Sequence, residues 1–196
     1  EETIDEMLRQ GMKRVSFGVQ SFVDAEAKAE GRLHTREMCL AEIGRMRTAG
    51  VTNINVDLIA GLPGQTAESW EESVEMVLET GVPHVSVYML EVDEDSRLGR
   101  EMLAEGERYS AGSVPSEDET AEWYGRACEW LEDGGVKQYE ISNFAREGHR
   151  SRHNMKYWRR EPYLGFGLDA HSMLRAGAGG MRWSNTVRQK SACSTV

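Results

Sequence analysis

Three stretches of the chain align without a gap: GMKRVSFGVQ from Gly11, GVTNINVDLI from Gly50 and GVPHVSVYML from Gly81. Each reads as a glycine, an apolar residue, two variable residues and then an alternating strand. Helical spacing fills the intervals. Thr35 can cap a helix with Cys39, Ile43 and Met46 on one face, and Thr66 can cap another with Trp70, Val74, Val77 and Leu78 on one face. Both helices run out at a repeat glycine, Gly50 or Gly81, the residue best suited to a left-handed helix end. A repeated strand and helix restricts the fold to parallel α/β architecture, either a doubly wound sheet or a barrel.

Side chains alternate along a strand, so the repeat also assigns faces. One face carries Val15, Phe17, Val19, Ile54, Val56, Leu58, Val85, Val87 and Met89, and is expected to pack on the helices. The other carries Ser16, Gly18, Gln20, Asn55, Asp57, Ile59, Ser86, Tyr88 and Leu90. Parallel sheets are ordinarily apolar on both faces. A polar second face therefore reads as a barrel interior lined for a ligand, or as core groups hydrogen-bonded to one another. Gln20 and Asp57 fall toward the C-terminal strand ends, where such sheets bind ligands, which favours the first. Three strands cannot close a barrel, and the run opening at Glu1 is expected to be the second half of a longer one.

The balance of 23 basic and 33 acidic residues, net charge -10, argues against nucleic acid as a general partner. Charge is uneven, however: Arg146 to Arg160 holds five Arg and one Lys against Glu147 alone, a segment able to receive an anion or simply to be solvated. No apolar run reaches the roughly 18 residues of a membrane span, and EETIDEMLRQ lacks the layout of a signal peptide, so a cytoplasmic location is expected. Cys39, Cys128 and Cys193 form neither a disulfide framework nor a metal motif.

With RVSFGVQSF, GRLH, NVDLIAGLPGQT, YEISNFA, HNMKYW and AHS in this order, the chain resembles radical S-adenosylmethionine (SAM) proteins of the oxygen-independent coproporphyrinogen III oxidase-like group. Within that group it is most similar to the HemW-type heme chaperones. The resemblance runs to about Arg175 and implies a partial (β/α)6 TIM-like barrel followed by a smaller α+β C-terminal subdomain. Residues 1–108 would supply strands four to six, 109–180 the subdomain, and 181–196 stay unassigned. A [4Fe-4S] cluster, held by a CxxxCxxC loop after the first strand, and SAM chelated to its open iron are the implied cofactors. The CxxxCxxC motif is absent from the chain. Its cysteines, a glycine-rich SAM loop and an acidic residue are expected upstream of Glu1.

The resemblance carries SAM contacts onto Gln20, Arg32 and Asp57, with Ile59 and Leu62 as apolar neighbours of the adenine. An Arg for the carboxylate and acceptors for the hydroxyls and amine suit that zwitterion. Arg32 rests on the resemblance alone. Glu30, Ala60 and Asp169 depart from the family pattern, the last at a turn where Gly is usual.

Toward the C-terminus, Ser116 and Glu119 form a capping box for a helix with Tyr124, Ala127, Cys128 and Leu131 on one face, ended by Gly134 and Gly135. Lys137 to Ala145 alternates as one strand. Beyond it, His153, Asn154, Tyr157, Trp158, Tyr163, Phe166 and His171 form an aromatic cluster. His153 is the heme candidate, since imidazole ligates heme iron and aromatics with Arg fit a porphyrin and its propionates; a hydrogen-bonded structural histidine is the alternative.

Two functions follow from the resemblance. One is a heme chaperone that binds heme and passes it to an acceptor protein. The other is oxidative decarboxylation of coproporphyrinogen III to protoporphyrinogen IX. Whether the whole protein is an enzyme stays open between them, and the chain alone, without the cluster motif, is expected to be inactive.

Overall fold

The structure, a computed structural model, describes residues 2–104, 106, 108–176 and 179–185. Contacts divide the chain into two compact units, one up to Arg150 and one from Ser151 onward.

The first unit runs α1 (Glu2–Arg9), β1 (Arg14–Gln20), α2 (Asp24–Ala29), α3 (Arg36–Thr48), β2 (Asn53–Ala60), α4 (Ala67–Thr80), β3 (His84–Met89), α5 (Arg97–Leu103), a 3-10 turn (Arg108–Ser113), α6 (Glu117–Asp133), β4 (Lys137–Gln138) and β5 (Asn143–Ala145). The sheet order is β1-β2-β3-β5-β4. The repeat strands are parallel, with Ser16 beside Asn55 and Asp57 beside Ser86. β5 then pairs antiparallel with β3, and β4 with β5. The segment read as one strand from Lys137 to Ala145 is thus a hairpin, because Lys137 lies opposite Ala145 and the chain reverses through Tyr139, whose amide binds the Asn143 carbonyl.

The helix signals act where the sequence places them. Thr35 accepts from the Met38 amide, and Thr66 with Ser69 and Ser116 with Glu119 form reciprocal capping boxes. Gly81 closes α4 at φ +63. The face with Ile54, Val56, Leu58, Val85 and Val87 is buried under Ile43 and Met46 of α3, Trp70, Val74 and Val77 of α4, and Trp123, Ala127 and Leu131 of α6. Each of the large aliphatic side chains among them contributes about 1.5–3 kcal/mol by leaving water. In α6 the sequence reading missed Trp123, which is buried, whereas Tyr124 and Cys128 are only partly covered. Trp70 lies fully inside and donates its indole N–H to the Trp123 carbonyl at 2.8 Å.

The second unit contains α7 (Arg152–Trp158) and a hairpin of β6 (His171–Ala176) and β7 (Gly179–Ser184), with Tyr163 bridged to Met173. Met181 to Ser184, left unassigned by sequence reading, are therefore strand; 186–196 lie outside the described residues. Asp169 has φ +56, the left-handed conformation for which Gly is usual. Asp tolerates it better than most residues, and the Asp169 amide bonds the Asn185 carbonyl, so the turn forms.

Candidate functional site

The polar strand face carries a hydrogen-bonded ladder. Asn55 donates to the Asp57 carboxylate at 2.7 Å and to Ser16 at 3.3 Å, leaving its carbonyl to accept from His84 Nδ1 at 2.6 Å. His84 Nε2 then accepts from the Tyr139 hydroxyl at 2.8 Å, which suits a neutral ring. Burial, reinforced by the charges of Arg14 and His149, pushes the His84 pKa down to about 3. Ser86 donates to Asn143 at 2.9 Å, and Asn143 donates to Glu140. Beside Asn55, Arg14 donates to Asn53 at 2.6 Å and lies within Coulombic reach of Asp57. The lower part of this face is therefore a self-satisfied polar core, the alternative that the sequence left open. His84, buried with no exposed surface, was absent from the sequence reading; its place in the repeat, one position before the apolar alternation starts, marks the polar face.

Asp57 and Gln20 stand above that core at the strand ends. Asp57 is half-buried, and its described hydrogen bond comes from Asn55. Gln20 is buried at φ +67, where the β1 to β2 register slips, and its amide nitrogen lies 2.9 Å from where a side chain on Gly18 would begin. Gly18 pairs with Asp57, so its missing side chain leaves the space that brings the Gln20 amide onto the face of Asp57. Arg32 is exposed in the loop between α2 and α3. His34 of the same GRLH stretch ties that loop to β1, donating to the Val19 carbonyl at 3.2 Å. Ile59 is half-buried on this face, and Leu62 is wholly buried.

The turn beneath is fixed by Gln65, which sequence reading did not single out. Its carbonyl accepts from the amides of Gly61 at 2.6 Å and Leu62 at 3.3 Å, and its amide donates to Glu26 and the Ile59 carbonyl, each at 3.2 Å. Buried Glu26 also accepts from Ser21 at 2.7 Å, and Ser73 binds the Phe22 amide at 3.1 Å. Gly61 is required here: at φ +92, an added Cβ would meet Thr120 at 2.7 Å.

In the second unit a cleft of about 530 Å³ is lined by His153, Tyr157, Tyr163, Phe166 and His171, among others. His153 and Tyr157, four residues apart on α7, meet edge to face at 5.0 Å, and Tyr157 meets Tyr163 at 4.6 Å. The Tyr157 hydroxyl lies 3.2 Å from His153 Nε2, so ligation through that nitrogen requires the hydroxyl to turn away. Trp158 and Phe166 are exposed at 52% and 88%, so the second unit presents aromatic surface rather than a closed core.

Residues 1–77 match the Radical SAM superfamily. The chain is 38% identical to the heme chaperone HemW of Bacillus subtilis and 36% identical to that of Lactococcus lactis, over 89% and 94% of its own length. It spans 44% and 46% of those relatives. A mitochondrial radical S-adenosyl methionine domain-containing protein 1 of Danio rerio is 35% identical over 88% of the chain and 38% of that protein. Among solved structures, coproporphyrinogen III oxidase HemN of Escherichia coli, a radical SAM enzyme, superposes with TM-score 0.69 at 22% identity, over 87% of the chain and 41% of HemN. That likeness shows the fold, the later part of a radical SAM barrel.

The superfamily match of residues 1–77 implies SAM and a [4Fe-4S] cluster. Gln20 and Asp57 offer an amide and a carboxylate suited to the hydroxyls and amine of SAM. Among the described residues no group of three His, Cys, Asp or Glu could hold a metal ion, and burial raises the thiol pKa of both Cys39 and Cys128, the opposite of what a thiolate ligand needs. The described residues thus fit part of a SAM site and not the cluster. Through residues 1–77 the chain matches the radical SAM superfamily, and over most of its length it is similar to the HemW heme chaperones of the two bacteria.

Proposed function

We propose that the whole protein is a heme chaperone, binding heme through the second unit and passing it to an acceptor protein, with SAM held at the strand ends of the first. The observation that carries this reading is the aromatic cleft of His153, Tyr157, Tyr163, Phe166 and His171. It offers imidazoles for iron and rings for a porphyrin face. The HemW names of the relatives support it. SAM bound to a reduced cluster supplies radical chemistry; the chain's own part is to hold the cofactor through Gln20, Asp57 and Arg32, the last by closure of a loop that His34 already ties to β1. Residues 1–108 remain our assignment for the barrel half. No helix among the described residues is long and apolar enough to cross a membrane.

Titration of the whole protein with hemin tests the reading. A Soret band should develop and saturate, and His153→Ala should shift that band and weaken binding by about tenfold or more. Absence of any heme spectrum overturns the chaperone reading, and an unchanged spectrum in His153→Ala overturns the ligand. Anaerobic incubation with SAM, reductant and coproporphyrinogen III should yield no decarboxylated product; protoporphyrinogen IX would establish the oxidase alternative instead.

A further inference from the structure

The second unit has another cleft, of about 550 Å³, lined by Tyr157, Arg160, Tyr163, Met173, Gly180 and Arg182. Tyr157 and Tyr163 are shared with the cleft of His153 and His171, so one pair of rings walls both. Strand register assembles the lining: Tyr163 is bridged to Met173, and Met173 pairs with Arg182, which sets three side chains in a row on one face. Arg175, two residues beyond Met173 on the same face, reaches the Arg160 carbonyl at 3.4 Å. Among the described residues neither Arg160 nor Arg182 has an acidic partner. Residues 151–185 hold six Arg and Lys against Glu161 and Asp169, in a chain of net charge -10.

Arg160 also sits where the backbone prefers glycine. It follows α7 at φ +51, its amide bonding the Tyr157 carbonyl and the Glu161 amide the Lys156 carbonyl. This is the Schellman ending, whose left-handed position is usually Gly. A long cationic side chain held at that position, pointing into an aromatic cleft, is local strain at a candidate binding surface.

We infer that this cleft is a carboxylate subsite, in which Arg160 and Arg182 receive the two propionates of a tetrapyrrole lying against the Tyr157 and Tyr163 rings. The inference rests on the heme reading above and adds what holds the periphery of the macrocycle. Guanidinium pairs carboxylates through two parallel hydrogen bonds, and two Arg match the two acid arms of heme. It also gives a use to part of the basic run that ends at Arg160.

The experiment compares three probes on the whole protein: hemin, hemin dimethyl ester and iron-free protoporphyrin IX. Arg182→Ala and Arg160→Gly should each weaken hemin and protoporphyrin IX by about tenfold or more while leaving the dimethyl ester within about twofold of the unsubstituted protein. Arg160→Gly should melt no lower than the unsubstituted protein, since glycine suits the helix end, so its loss of binding cannot be loss of fold. His153→Ala should alter hemin and the ester and spare protoporphyrin IX. Hemin bound normally by both Arg variants overturns the subsite and leaves the heme reading standing, as does an equal loss for hemin and its ester. No hemin binding by the unsubstituted protein overturns both.

Discussion

The two units treat polar and aromatic groups in opposite ways. In the first, His84, Asn55, Ser86 and Asn143 are buried and bonded to one another, and the one large aromatic of α4, Trp70, has no exposed surface. In the second, α7 buries none of its residues, and Tyr157, Trp158 and Phe166 stand open. A core of this kind fixes side chains to within their packing and leaves only the strand ends adjustable. An exposed aromatic face gains its stabilisation from what binds it. The first unit therefore reads as scaffold with a site at its rim, the second as surface.

Paired tryptophan truncations test this contrast most strongly. Trp70→Ala should cost about 3–5 kcal/mol by opening a cavity and removing the indole hydrogen bond to the Trp123 carbonyl. Trp158→Ala, half exposed, should cost less than about 0.5 kcal/mol. Chemical denaturation of both variants checks it, and comparable losses would break the contrast.

Acid should act on the first unit through His84. Its folded pKa of about 3 lies below the usual 6.5, so the unfolded chain takes up the proton first. The stability that comes from neutral His84 is complete above about pH 6.5 and is lost as pH falls toward about 3, with a slope of at most about 1.4 kcal/mol per pH unit. Melting temperature followed against pH in the unsubstituted protein and in His84→Gln should differ in slope over that range; parallel curves would remove His84 from the account.

The smallest effect sharpens the boundary between scaffold and rim. Asp57→Ala should leave stability nearly unchanged, and Gln20→Gly should gain about 1 kcal/mol by releasing a left-handed backbone. Both should weaken SAM binding to the whole protein, read by calorimetry. Unchanged affinity in both would return Gln20 and Asp57 to the polar core below them.

These positions share a pattern across the units. Gln20, Arg160 and Asp169 are the non-glycine residues at positive φ among those described, and each adjoins a candidate site. Backbone strain of this sort is retained where a side chain is needed at a place the chain would otherwise give to glycine. No single-residue signal in the sequence marks it, except Asp169, whose departure from the family's Gly was visible.

Sequence alone determined the parallel strand and helix repeat, its caps at Thr35, Thr66 and Ser116, its apolar face and the polar row through Asn55 and Asp57. Periodicity and capping are local, so they can be read from spacing. Only the tertiary structure decided that Lys137 to Ala145 turns back on itself, that Gln65 locks the GLPGQ turn onto Glu26, and that His84 lies neutral between Asn55 and Tyr139. Those facts depend on which strand becomes whose neighbour, a long-range pairing that spacing cannot encode. The same holds for the row of Tyr163, Met173 and Arg182, which strand pairing alone brings to one face.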